Sequence, residues 1–90
     1  MKFFTFYQNN SGGYFLEDED VDHYVVIQAK NHHEANDKAQ DIGIYFDGVK
    51  KGIDCDCCGD RWNEVGINDG SDTYRVFDNC KYYVEDEYKI

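Results

Sequence analysis

The stretch HYVVIQAKNHHEANDKAQDIG, residues 23–43, decides the fold class. Its first third is rich in β-branched residues. Tyr24, Val26 and Gln28 alternate with Val25, Ile27 and Ala29, which is the two-residue period of a strand. The period then changes. Asn31 is an N-cap residue with Glu34 three positions on, as in a capping box, and Ala35, Ala39 and Ile42 recur at helical spacing. Gly43 suits the residue just past a helix end, where a positive φ is common. A strand over 23–29 therefore runs into a helix over 31–43. The helix's apolar stripe is mostly alanine, so it should lie close against a sheet.

Outward from this unit the signals are shorter. KFFTFY (2–7) reads as a strand with Phe4 and Phe6 on one face and Phe3 and Tyr7 on the other. QNNSGG (8–13) is a turn, and YFL (14–16) is expected to return as a short strand. EDEDVD (17–22) is a charge run that suits a solvated loop. IYF (44–46) follows the helix as another short strand. NDGSD (68–72) is a turn, TYRVF (73–77) a strand, DN (78–79) a tight turn and CKYYVEDEY (80–88) the returning strand, with Tyr82 and Val84 facing opposite to Tyr83. This order predicts an α+β fold: one helix packed on a small, mostly antiparallel sheet with a C-terminal β-hairpin, as a single domain over residues 1–90.

The charge limits the partners. Nineteen acidic residues against 9 basic ones give a formal charge of −10. A phosphate backbone needs Lys and Arg to displace its counterions, and the only arginines are Arg61 and Arg75. Direct binding of nucleic acid or of an anionic membrane surface is disfavoured. The acidity fits a cationic partner, or mimicry of nucleic acid. Eight Tyr and 6 Phe supply enough large apolar surface to argue for a folded chain rather than a disordered acidic one. No run is long and apolar enough for a membrane helix, and the N-terminus is too short and polar for a signal peptide, so a cytosolic protein is expected.

DCDCCGDRW (54–62) holds three of the four cysteines. Cys55 and Cys58 form C-x-x-C followed by Gly59, the local pattern of a zinc knuckle, in which a tight turn aims two sulfurs at one metal. A closed zinc site wants four ligands, and no second C-x-x-C exists. Cys80 and His23 are the expected partners, with His32 and His33 the other histidines and Cys57 expected to point away. Two other readings stand beside zinc. One is a metal-free turn that buries Trp62 beneath it. The other is redox chemistry, disfavoured because Asp54, Asp56 and Asp60 should raise the thiol pKa values. For a small ligand the candidate contacts are the loop Asn9, Asn10, Ser11, Gly12 and Gly13, the charged anchors Arg61 and Arg75, and the rings of Trp62 and Tyr82. The competing reading of Arg61 is an ion pair with a nearby carboxylate.

Three segments together, FTFYQNNSGG, EANDKAQDIGIYFDGV and GIDCDCCGDRW, resemble a family of small uncharacterised proteins carried by tailed bacteriophages. The resemblance spans roughly residues 3–62. Its pattern reads D-C-P-C-C-G-D-R-W, and this chain has Asp56 where that pattern has proline, a residue that helps to set such a turn. What the resemblance implies is an accessory protein made in the cytoplasm of the bacterial host. The expectation is a non-enzymatic protein that binds and inhibits a host protein, such as an anti-phage defence factor, through an acidic, tyrosine-rich surface. The alternatives are an oligomeric sponge for a nucleotide-type signal, or a small zinc-knuckle module. A homodimer is compatible with either, since symmetry can complete a site across chains.

Overall fold

The computed structural model describes residues 1–85. Strand β1 (Lys2–Tyr7), strand β2 (Tyr24–Ala29), helix α1 (His32–Asp41) and strand β3 (Cys80–Tyr83) are joined by long irregular segments that contain two helical turns, Ser11–Gly13 and Ile67–Asp69. The sheet order is β1-β2-β3. β1 runs antiparallel to β2, and β3 runs parallel to it. An α+β fold with one helix on a small sheet is therefore present, but the sheet is mixed rather than mostly antiparallel. The reason is the connection. After β2 the chain enters α1 and returns over residues 42–79, and a crossover of that kind delivers a parallel strand.

The C-terminal hairpin is not formed among the described residues. Residues 73–77 are not a strand. Their aromatic side chains lie three apart and pack onto the sheet instead: Phe77 stacks on Tyr24 at 4.3 Å and Tyr74 meets Phe3 at 4.8 Å between ring centroids. The amide of Phe77 donates to the Tyr82 hydroxyl at 2.8 Å, a side-chain bond where a hairpin would have a ladder bond. The end of the expected strand, residues 86–88, lies outside the described residues. The short strands expected at 14–16 and 44–46 do not form either. Ile44 and Phe46 are still buried, but as core plugs after the helix rather than as sheet.

The strand and helix read from periodicity are as expected. Phe4, Phe6, Val25, Ile27 and Ala29 form the sheet face beneath α1, with Ala35 and Ala39 against them and Trp62 and Val65 closing the core. The Asn31 carboxamide oxygen accepts the Glu34 amide at 2.9 Å, and the Glu34 carboxylate accepts the Lys30 amide at 3.0 Å. That hydrogen bond, its largest cause, holds the Glu34 carboxyl below its ordinary value. At the other end Ile44 N–H reaches Ala39 O at 3.0 Å and Gly43 N–H reaches Gln40 O at 3.2 Å. This is a Schellman closure, and Gly43 takes the positive φ of +102° that it requires. Asn36 breaks the alanine stripe. It is buried and pairs both ways with the Val65 backbone, at 3.0 and 2.9 Å, which ties the return segment to the helix.

Replacing Asn31 by alanine removes the cap and should lower stability by about 1 kcal/mol. Urea unfolding of Asn31→Ala against the exposed control Gln40→Ala checks it. Equal midpoints for the two variants would contradict the cap assignment.

Candidate functional site

Arg61 organises the region that carries the cysteines. Its side chain is 3% exposed, and that of its partner Asp54 is 1% exposed. Nη1 donates to Gln8 Oε1 at 2.9 Å and to Tyr14 O at 2.8 Å, and Nη2 donates to Ser11 O at 2.6 Å. Nε donates to the Tyr45 hydroxyl at 3.2 Å and lies 3.8 Å from Asp54 Oδ1. Tyr45 in turn donates to Asp54 Oδ1 at 2.6 Å, and Asp54 Oδ2 accepts the Arg61 amide at 2.7 Å. The guanidinium also lies over the Tyr14 ring, 4.7 Å from its centroid. Burial, followed by the bond to Asp54, pushes the Tyr45 hydroxyl above its ordinary value. Gly48 is required by this arrangement, since a Cβ there would collide with the Asp54 carboxylate. Arg61 thus forms the ion pair that the acidic composition suggested, with four of its five N–H donors spent inside the chain.

The loop over residues 9–13 is bound to the cysteine turn. Asn9 Nδ2 donates to Cys58 O at 2.6 Å and to Asp60 O at 3.3 Å. Ser11 Oγ donates to Gly59 O at 3.0 Å and accepts the Cys55 amide at 3.3 Å. Gly12 and Gly13, with φ of +77° and +87°, make the bend after Asn10 that brings Ser11 inward. The side chains of Asn9 and Ser11 therefore brace the turn.

Within the turn, Cys58 N–H and Gly59 N–H both donate to Cys55 O, at 3.2 and 3.1 Å, and Gly59 sits at φ +82°. Hydrogen bonds from the Cys57 thiol and then the Cys57 amide are the main causes that lower the Cys55 thiol, and the Cys58 amide adds to them. The Cys57 thiol is pushed up to about 11, chiefly by its bonds to Cys55 and Cys58. Cys57 does not point away. Its sulfur lies 3.7 Å from that of Cys58, and the sulfurs of Cys55, Cys57 and Cys58 all lie within 4.8 Å of one another on the exposed surface. The three are close enough to bind a metal. The rise expected from flanking carboxylates fails at Cys55, whose thiol is lowered. Asp54 faces Arg61, and Asp60 Oδ1 accepts the Val49 amide at 2.9 Å, so both turn inward.

Cys80 and His23 are not part of this group. Cys80 pairs with Tyr24 across β2 and β3, and burial raises its thiol. The His23 ring stacks on Phe15 at 3.9 Å and meets Glu17 Oε2 at 3.1 Å. Trp62 is buried in the core, and its indole N–H has no hydrogen-bond partner among the described residues.

A second feature lies along β1, which is an edge strand. Phe3 exchanges two backbone bonds with Ser71, at 2.8 and 2.9 Å, on the side away from β2. Alternation then turns the N–H and C=O of Thr5 and Tyr7 to the same side. Asn9 N–H is taken by Arg61 O at 2.8 Å. Between these two closures, no described residue bonds the outward backbone of Thr5 or Tyr7. A cavity of about 490 Å³ opens beside them, with Tyr74, Arg75 and Phe77 on one wall and Glu64, Val65 and Asp69 on another. Of the two arginines, only Arg75 is exposed, its guanidinium 5.7 Å from the Phe77 ring. Tyr82 supports this wall from β3, 5.5 Å from Tyr74.

A family model described as Domain of unknown function (DUF7296) matches residues 1–89. The chain belongs to the DUF7296 family. No curated protein and no solved structure matches it. The matched span includes the Arg61 network, the cysteine turn and the open edge of β1, so all three lie inside the DUF7296 domain. Among the described residues of this DUF7296 chain, no helix is long and apolar enough to cross a membrane.

Sequence reading missed Asp54 and Gly48 as partners of Arg61, and Cys57 as a neighbour of Cys55. An acidic residue preceding C-x-C-C with an arginine just after it was the available signal. Removing the guanidinium should leave Asp54 buried without its counter-charge. Arg61→Met should therefore cost about 3–5 kcal/mol, measured by urea unfolding. Arg61→Lys should recover little of this, since one ammonium cannot reach acceptors on three segments. A loss below about 1 kcal/mol, as for an exposed pair, would contradict the assignment.

Proposed function

We propose that this chain is a small non-enzymatic bacteriophage accessory protein that binds and inhibits a protein of the bacterial host, in the host cytoplasm. The observation that carries the binding reading is the backbone of Thr5 and Tyr7, unpaired among the described residues, beside an aromatic-walled cavity. An open edge of this kind accepts an added strand: main-chain bonds give affinity, and a pocket beside the strand gives specificity. The occupant proposed is an extended, basic segment of the host protein. A formal charge of −10 and the carboxylates of Glu64 and Asp69 at the cavity favour a cationic partner. Tyr7, 60% exposed, and Tyr74 offer contact area at low entropy cost. The phage setting rests on the resemblance of the N-terminal and cysteine segments. The non-enzymatic reading rests on the buried charges, which are engaged in holding loops together.

The nucleotide-sponge alternative loses three of its contacts, because the side chains of Arg61, Asn9 and Ser11 bond within the chain. Arg75 and the tyrosines remain for it.

Thr5→Pro tests the strand-addition reading. The Thr5 amide faces out of the sheet, so proline there should spare the β1–β2 ladder while removing the first donor offered to a partner. Affinity capture from a bacterial lysate should retain one host protein with the parent chain. Thr5→Pro should lose it, and higher salt should weaken the parent's capture. The same retention by parent and Thr5→Pro at all salt concentrations would contradict the proposal.

A further inference from the structure

We infer that Cys55, Cys57 and Cys58 form a three-thiolate site for zinc or a similar thiophilic cation, with the fourth coordination position left open to an outside donor. This inference is independent of the partner reading. Its basis is the placement of three sulfurs by one short turn. Zn–S bonds of about 2.3 Å put sulfurs about 3.8 Å apart on a tetrahedron. Cys57 and Cys58 already stand 3.7 Å apart, and Cys55 lies within 4.8 Å of both. That separation is far from the bonded distance of a disulfide, which is about 2.05 Å. A small rotation of exposed side chains brings all three onto one ion.

The backbone closes the turn beneath the three sulfurs: the Cys58 and Gly59 amides both donate to Cys55 O, at 3.2 and 3.1 Å. Each thiol that coordinates gives up its proton to solvent, with no change in oxidation state.

The ligand set differs from a closed structural knuckle in two respects. Three protein ligands with one open position are the pattern of an exchangeable site, whereas a structural site is closed by four. The turn is, moreover, already held by Asn9, Ser11 and the Arg61–Asp54 pair, none of which needs the ion. Metal should therefore come and go without unfolding the chain. The open position is where a ligand from outside this chain, a thiol or an imidazole, would complete the tetrahedron.

Titration of the reduced, metal-free chain with Cd²⁺ alone tests this by the thiolate-to-metal charge-transfer absorbance. The expected result is a band that saturates at one ion per chain. Cys57→Ser should lower the absorbance per chain by about a third, one of three sulfurs being lost. It should weaken binding by more than the roughly tenfold that loss of an outer-shell partner costs. Cys80→Ser and His23→Ala should change neither. Far-ultraviolet circular dichroism of Cys57→Ser should match the parent, since the side chain is exposed. Chelation should remove the band and leave the dichroism unchanged. Absence of a band, a band that depends on Cys80 but not on Cys57, or unfolding on chelation would each overturn the inference.

Discussion

The structure depends on one buried guanidinium. Arg61 donates to Gln8, Ser11 and Tyr14 on the N-terminal side and to Tyr45 on the other, with Asp54 as its counter-charge. Burying two charges is costly, and only good geometry and full hydrogen bonding offset it. Here the offset is visible: the guanidinium reaches four acceptors and a ring face, and Asp54 accepts from Tyr45 and from the Arg61 amide. The geometry also dictates residues that have no charge. Gly48 must lack a side chain to admit Asp54, and Gly12 must bend the chain to bring Ser11 O within reach.

That single hub compensates for a shortage of regular structure. Between α1 and β3 the chain runs over residues 42–79 with no strand and one helical turn. Buried backbone groups there still need partners. Side chains provide them: Asn36 for Val65, Asp60 for Val49, Ser11 for Cys55 and Gly59. The result is a loop-rich half that is held by polar anchors at named points. Among the described residues, two places escape the anchoring. One is the outer edge of β1 between Phe3 and Asn9. The other is the tip of the cysteine turn, where three thiols face solvent.

The parts legible in the sequence were those whose signal is local. The strand at residues 24–29 and the helix at 32–41 follow from periods of two and of 3.6, and the Asn31 cap and Gly43 closure sit where residue type alone puts them. β3 was found, but its parallel pairing was not, because pairing partners are distant in the chain and tyrosine-rich runs suit either direction. Residues 73–77 looked like a strand by composition. Their Tyr74 and Phe77 instead satisfy the aromatic outer face of the sheet. At the cysteine turn the spacing of Cys55 and Cys58 was readable, while the rotation of Cys57 toward them depends on backbone angles that only the braced turn sets. The ion pair of Arg61 was anticipated, but neither its burial nor its partner seven residues away, which was hidden among many equivalent aspartates.

The measurement closest to the central claim is NMR of the Arg61 guanidinium in the labelled protein. A group fixed by four acceptors cannot rotate freely and is shielded from water. The account predicts separately resolved Nη protons for Arg61 that exchange slowly with solvent, while those of the exposed Arg75 remain averaged. A single averaged, fast-exchanging Nη signal for both arginines would contradict it, and with it the bracing of the loop and the cysteine turn.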